Sequence, residues 1–219
     1  QNEPKSYSES FRENELAIVD TSNAQFDDVV AIPEAVVAKG GAIQHAKLPF
    51  RVVIKEYYPN SGLRSRDPQA GAPAPASKAT KGIGLNVEMQ PLPMTYKQDE
   101  RNLPGAFVEL ATAEGSLGTW MVSSDPRLPP QRFEHAGRSF TIQFRFERKY
   151  KPFTLTLLKF SHDRYAGTEI PKNFSSRIRL QTPDGRDDRE VLIYMNNPLR
   201  YSGMTFYQAS FDPENPNVT

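Results

Sequence analysis

The chain of 219 residues contains no cysteine, which excludes disulfides, thiolate metal sites and a cysteine nucleophile. Imidazole is scarce: His45, His135 and His162 are the three histidines, and none lies three or four residues from another, so no helical metal pair exists. No apolar run approaches the ~20 residues that a membrane-spanning helix needs. An excess of one charge is also missing. Against 27 Lys and Arg stand 26 Asp and Glu, a formal net charge of +1, so nothing offsets a phosphate backbone and nucleic acid is not an expected partner. Gly-x-Ser-x-Gly does not occur, which leaves a hydrolase nucleophile elbow unsupported. Gly82-Ile-Gly84 is too short for a dinucleotide loop. Asp184-Gly-Arg-Asp-Asp188 lacks the alternating acidic spacing and downstream Glu of a Ca²⁺ loop and reads as a hairpin tip. Asn173-Phe-Ser175 and Asn217-Val-Thr219 fit a glycosylation acceptor, a pattern short enough to recur by chance. No catalytic residue and no metal site are expected, and an enzyme is the least supported class.

What the chain does contain is alternation with a period of two. Phe140, Ile142, Phe144 and Phe146 share one strand face, with Thr141, Gln143 and Arg145 on the other. Arg51–Tyr58, Leu85–Met89, Phe153–Leu157 and Arg177–Gln181 repeat the pattern, and Pro183-Asp-Gly185 suits a hairpin turn. Such strands have one buried and one solvated face and belong to antiparallel sheets. The expected fold is mainly β, an antiparallel β-sandwich or barrel-like array with one or two short helices. Residues 1–47 read as an N-terminal extension, irregular to residue 25 apart from Leu16-Ala-Ile-Val19. A short helix is expected near 28–39, with Pro33 in its first turn and Gly40-Gly41 as its stop, although Val29, Val30, Val36 and Val37 would serve a strand equally well. Residues 48–150 form a first β half and 151–219 a second. The small residues and prolines of 61–82 suggest a mobile surface loop inside the first half.

The two halves overlay in order. Pro49-Phe50 and the Val53–Tyr58 strand resemble Pro152-Phe153 and Leu155–Phe160. Phe107–Thr112 resembles Arg177–Thr182, Trp120–Pro126 resembles Val191–Pro198, and Phe140–Phe146 corresponds to Met204–Phe211. The shared order points to duplication. The most distinctive stretch is Tyr194–Phe211, with Asn196, Asn197 and Pro198 in a turn, Gly203 at a bend, and Tyr201, Phe206, Tyr207 and Gln208 beyond. These side chains read either as turn and strand chemistry or as an amphipathic aromatic surface for a partner. Asn196, Pro198, Tyr201, Phe206, Tyr207 and Gln208 are the candidate partner-binding residues.

Phe153 to Phe211 resembles the extracytoplasmic portion of the ResB-like family of cytochrome c biogenesis proteins. The resemblance rests on Lys151-Pro-Phe, on Phe160 with Asp163-Arg-Tyr165, and on Pro171-Lys-Asn-Phe-Ser-Ser176. Met195-Asn-Asn-Pro-Leu, Tyr201-Ser-Gly203 and Phe206-Tyr-Gln208 are its strongest pieces, and Ile32–Val37 with Leu48-Pro-Phe50 fits more loosely. It implies one ResB-like domain overall, on the extracytoplasmic (periplasmic) side of the bacterial cytoplasmic membrane, cut from a protein whose spans lie outside this chain. It also implies a non-enzymatic docking role in haem delivery, with a ResC/CcsA-type haem-handling membrane protein and apocytochrome c as partners. Trp120 is the sole tryptophan, so the partner's Trp-rich haem motif is absent. On that reading haem is handled by the full complex and this fragment carries no cofactor, with His162 as a lone candidate haem ligand. The competing expectation is a β-sandwich module that binds a glycan or lipid, and a third is direct haem binding through His45, His135 or His162.

Overall fold

The computed structural model describes residues 2–66, 76–97, 99–164 and 171–208, without the side chains of 162–164 and 171–173. Strand dominates, as the alternation requires. Two compact units emerge, Glu9–Glu147 and Arg148–Thr219 with Gln1–Ser8.

The Glu9–Glu147 unit takes in most of β1 (Pro4–Asp20), then β2 (Asp28–Pro33), α1 (Glu34–Val37), β3 (Gly41–Ile43), β4 (Arg51–Tyr58) and β5 (Ser61–Ser65). A 3₁₀ turn, Gly82–Leu85, precedes β6 (Val87–Pro91), β7 (Gly105–Ala111), β8 (Ser116–Ser123), β9 (Gln131–His135) and the first part of β10 (Arg138–Arg164). Antiparallel β3-β4-β7-β8 forms one sheet, and the β1–β2 and β9–β10 pairs belong to a second. Leu16, Ile18, Val30 and Ile32 pack with Val52, Ile54, Val108, Leu110, Trp120 and Val122, closed by Phe140, Ile142 and Phe144. Residues of both sheets fill one core, so this unit is a sandwich and not a closed barrel. The other unit continues β10 and adds β11 (Pro171–Gln181), β12 (Asp188–Tyr194), β13 (Leu199–Tyr201) and β14 (Met204–Phe206). β10, β11 and β12 are antiparallel neighbours there, and β12 is the edge strand.

The N-terminal stretch is strand rather than irregular chain. Asn14 to Val19 is buried continuously, and Glu15 is held inside by the Arg145 guanidinium at 2.9 Å. The expected helix near 28–39 shrinks to α1, four residues long. Val29 and Val30 pair with β1 instead, and Pro33, extended at ψ 144°, sits ahead of the helix and ends the strand. Within 61–82 the ends are ordered: β5 pairs with β6, and Thr80 and Lys81 bond to Thr119. The rest of that expected loop, residues 67–75, lies outside the described residues.

The duplication is visible in the hydrogen-bond register. Arg51 through Ile54 pair with Ala111 through Val108, Lys55 is skipped, and Glu56–Tyr58 pair with Phe107–Gly105. Thr154 through Leu157 pair with Gln181 through Ile178, Leu158 is skipped, and Lys159–Ser161 pair with Arg177–Ser175. Both repeats thus carry a bulge at the same step. A bulge re-aims the strand by one residue and is a designed feature of a ladder. The two-residue hairpin turns also match: Ala136 and Gly137 have φ +52° and +72°, Ser202 and Gly203 +49° and +74°. Positive φ at both positions is what a type I′ turn requires. Phe50 packs edge-on against His135 and Phe140, and Phe153 packs edge-on against Tyr201 and Phe206. The sequence overlay has the right order but needs correction by a residue or two: Val53 corresponds to Thr156, and Phe140 to Phe206.

The repeats differ in their outer faces. In the first, Phe107 and Met121 are covered by Ala79 and Met89, with Leu63, Ile83 and Val87 alongside, which makes a second small core. In the second, Arg177 stands where Phe107 does and Leu192 where Met121 does, and Leu192 is 47% exposed.

Candidate functional site

The C-terminal block divides into structural and exposed residues. Leu199 is buried, and Tyr201 and Phe206 pack with Leu155, Leu157 and Val191 around Ile178 and Ile193. The Tyr201 ring lies 4.9 Å from that of Phe153. Desolvation first, then the negative charge of the nearby Asp187 carboxylate, push its phenol above the ordinary tyrosine range. Tyr201 and Phe206 are therefore largely wall, not open surface. Asn196, at φ +62°, takes the left-handed position of the turn after β12, where Asn is favoured among non-glycine residues. Asn197 and Tyr194 exchange backbone hydrogen bonds, and the Asn197 side-chain NH₂ donates to Leu192 O at 3.4 Å. Pro198 is half-buried behind that turn. Ser176 Oγ donates to Gln208 Oε1, tying down the end of the block. Of the six candidates, Asn196 and Tyr207 stand exposed, Tyr207 at 68%.

Sequence reasoning passed over Leu192, Tyr194 and Met195, which are 47%, 42% and 59% exposed. Leu192 and Tyr194 share the outer face of β12, while Val191 and Ile193 turn inward. The available signal was a strand apolar on both faces, Val191-Leu-Ile-Tyr194, on a side of β12 where, among the described residues, no strand pairs beyond the Tyr194–Asn197 bridge.

In the Glu9–Glu147 unit a pocket of about 270 Å³ is lined by Phe11, Asn14, Glu34, Tyr96, Arg101 and Phe146 among others. Glu34 accepts from Tyr57 Oη at 2.5 Å and from Asn14 Nδ2 at 2.8 Å. Burial and that carboxylate push the Tyr57 phenol far up. With both oxygens engaged, Glu34 is a structural acceptor rather than a poised base. The Arg101 guanidinium carbon lies over two rings, 3.7 Å from the centroid of Phe11 and 4.6 Å from that of Phe146.

The histidines occupy separate places. His45 is exposed, and its Nδ1 accepts the Lys47 N–H at 3.2 Å. His135 packs on Phe50. His162 lies in β10 opposite Phe174, its side chain outside the described residues. Among the described residues no three His, Asp or Glu converge as metal ligands, and no helix is long and apolar enough to cross a membrane.

Comparison with known proteins agrees with the C-terminal signature. Protein NrfI of Wolinella succinogenes is 39% identical over 61 residues, a stretch spanning 28% of this chain and 7% of that protein. A model of the ResB-like family matches residues 118–219, from β8 through the whole second repeat. Over residues 118–219, this chain is similar to the ResB-like family.

Proposed function

We propose that this chain is a non-enzymatic docking module of a membrane-anchored cytochrome c biogenesis protein, acting on the extracytoplasmic side. It offers a contact surface to a haem-handling membrane protein of the ResC/CcsA type and to apocytochrome c, while haem is held elsewhere in the complex. The observation that carries this reading is the ResB-like match, which takes in the repeat where Leu192 and Tyr194 stand exposed. Leu192, Tyr194, Met195 and Tyr207 supply exposed apolar and aromatic area there. Aromatic side chains with a polar tip and methionine are enriched at the centres of protein interfaces.

The test uses the full-length membrane protein. Tyr207→Ala and Met195→Ala are expected to reduce co-purification of the haem-handling partner and the yield of holocytochrome c, with the protein still present in the membrane. Unchanged co-purification and unchanged yield in the double variant would refute this placement of the surface. Tyr201 is the wrong residue to probe, since its loss would act through packing on Phe153.

A further inference from the structure

The two repeats treat the same strand edge in different ways. In the first, the outer edge of β8 is occupied by the chain itself. Lys81 forms a parallel bridge to Trp120, and the Thr80 and Lys81 amides donate to Thr119 O at 2.9 and 3.1 Å. Thr119 N–H donates in turn to Thr80 Oγ1 at 2.9 Å. Gln131 fastens the arrangement from the β9 side. Its Nε2 donates to Met121 O at 2.7 Å, and its Oε1 accepts the Ile83 N–H at 2.9 Å. Small residues let the backbones approach: a Cβ on Gly84 would lie 2.6 Å from Ala79 Cβ and 2.7 Å from Met121 Cβ.

In the second repeat the register carries Thr119 onto Glu190, Trp120 onto Val191 and Met121 onto Leu192. The hairpin alignment carries Gln131 onto Asn197. Asn197 makes the same bond as Gln131, its NH₂ donating to Leu192 O. Its Oδ1 meets no donor among the described residues, whereas its counterpart holds the covering segment. The N–H and C=O of one residue point to the same side of an antiparallel strand. Leu192 O faces Asn197, so the N–H of Leu192 and both polar groups of Glu190 face outward as well. Exposed edges are normally blunted by charge. Asp188, Arg189 and Glu190 supply it at the start of β12, but Val191 through Tyr194 carry none.

We infer that the outer edge of β12, from Glu190 to Leu192, takes up an extended apolar segment of another polypeptide as an added parallel strand, with Asn197 Oδ1 accepting one of its amides. The occupant is read from the molecule itself, because the matching edge of β8 already holds a chain in this way. Adding a strand to an open edge is a general mode of peptide recognition, in which the backbone gives affinity and side-chain contacts give preference. Leu192, Tyr194 and Met195 favour apolar side chains. Arg189 stands where Gly118 lets Lys81 pass, so the added strand starts at Glu190 and not earlier. This inference deepens the docking role proposed above and depends on it only for the identity of the partner.

The experiment is amide hydrogen exchange and titration, read by NMR on this chain, with two sets of short synthetic peptides. One set tiles an apocytochrome c sequence and the other consists of scrambled peptides of equal composition. Apolar extended peptides are expected to slow exchange at the Glu190 and Leu192 amides. Leu192→Pro deletes an outward N–H that no ladder bond uses, which an edge strand tolerates. It is expected to weaken binding about tenfold, and Asn197→Ala about threefold, in line with one net hydrogen bond each. Glu190 and Leu192 amides already protected without peptide would overturn the inference. So would protection confined to other strands, or full affinity in Leu192→Pro. If Leu192→Pro does not fold, unchanged affinity in Asn197→Ala overturns it instead. Scrambled peptides bound at β12 while apocytochrome peptides are ignored would uphold the edge and sink the cytochrome assignment. No binding by either set would sink the edge and leave the docking role to its own test.

Discussion

Gln131→Ala is the perturbation whose cost can be worked most directly from the structure. Gln131 is 8% exposed and satisfies two backbone groups that have nowhere else to turn. Its amide donates to Met121 O, and its carbonyl accepts the Ile83 N–H. Truncation orphans both. A buried polar group left without a partner costs about 1–3 kcal/mol. Met121 is fully buried, whereas Ile83 is half-buried and regains some hydration when the cover loosens. The expected loss is therefore about 2–4 kcal/mol, below the full sum for two fully buried groups. At the matching position, Asn197→Ala removes one exposed 3.4 Å contact, and the expected loss is under about 0.5 kcal/mol. Denaturant unfolding followed by Trp120 fluorescence reads the first, since Trp120 packs 5.2 Å from Phe133 in the sandwich core. Exchange at the Thr80 and Lys81 amides should accelerate in Gln131→Ala, as the cover then opens locally. If Gln131→Ala costs no more than Asn197→Ala, the idea that one amide fastens the cover onto β8 is wrong.

Three further outcomes are expected. Glu15→Ala strands the Arg145 guanidinium, 9% exposed in the pair, and should cost about 3–5 kcal/mol, whereas replacing both residues with apolar ones should cost far less; denaturant midpoints of the single and double variants check this. Phe50→Ala and Phe153→Ala each remove the hub of an aromatic cluster and should each cost about 3–5 kcal/mol, with a similar loss in both, since Phe50 and Phe153 are equally buried at 3% exposed. Hydrogen bonds from Arg127, to which its charge adds, hold the buried Asp125 carboxyl below its usual range. Its unfolded-state pKa is ordinary, so its contribution is complete above about pH 4. That contribution is lost as pH falls through the lower folded-state value. Asp125→Asn should therefore be less stable than the wild type at neutral pH and lose less stability on acidification. Parallel stability curves for the two proteins would contradict the assignment.

The sandwich was legible because its strands alternate. Val52 and Ile54 face inward, as do Phe140, Ile142 and Phe144, and the last three have the polar Thr141 and Gln143 between them. β1 was not legible, because its buried end includes Asn14 and Glu15, and a carboxylate reads as solvent-facing until its cation is found 130 residues away. Arg145 misled for the same reason: it occupies the polar phase of β10 yet is buried with Glu15. Duplication was legible as order and not as register, since the skipped residues Lys55 and Leu158 look like ordinary strand positions. The C-terminal aromatics expose a deeper ambiguity. Interiors and interfaces both favour Tyr and Phe. Only the position of Phe153 reveals that Tyr201 and Phe206 serve the interior, while Leu192, Tyr194 and Met195 are left outside.

That asymmetry between repeats bears on whether the β12 edge is a remnant or a site. The second repeat has adjusted to losing its cover at one position: Arg177 replaces the buried Phe107, so one large apolar contact became a solvated charge. At Leu192 and Tyr194 no such adjustment is present, although both are more than two-fifths exposed. Folding does not demand them there. Exposed substitutions away from a special contact usually change stability by no more than about 0.5 kcal/mol. Leu192→Lys combined with Tyr194→Lys should therefore leave the denaturant midpoint nearly unchanged, while placing on the open half of the strand the charges that already blunt its first half. Held next to an extended apolar peptide, the two ammonium groups would have to lose water without a counter-ion, so peptide protection at Glu190 and Leu192 should disappear. A large fall in the midpoint would mean that these side chains support the unit's own core. Retained peptide protection with an unchanged midpoint would mean that the partner, if it binds, does not lie along β12.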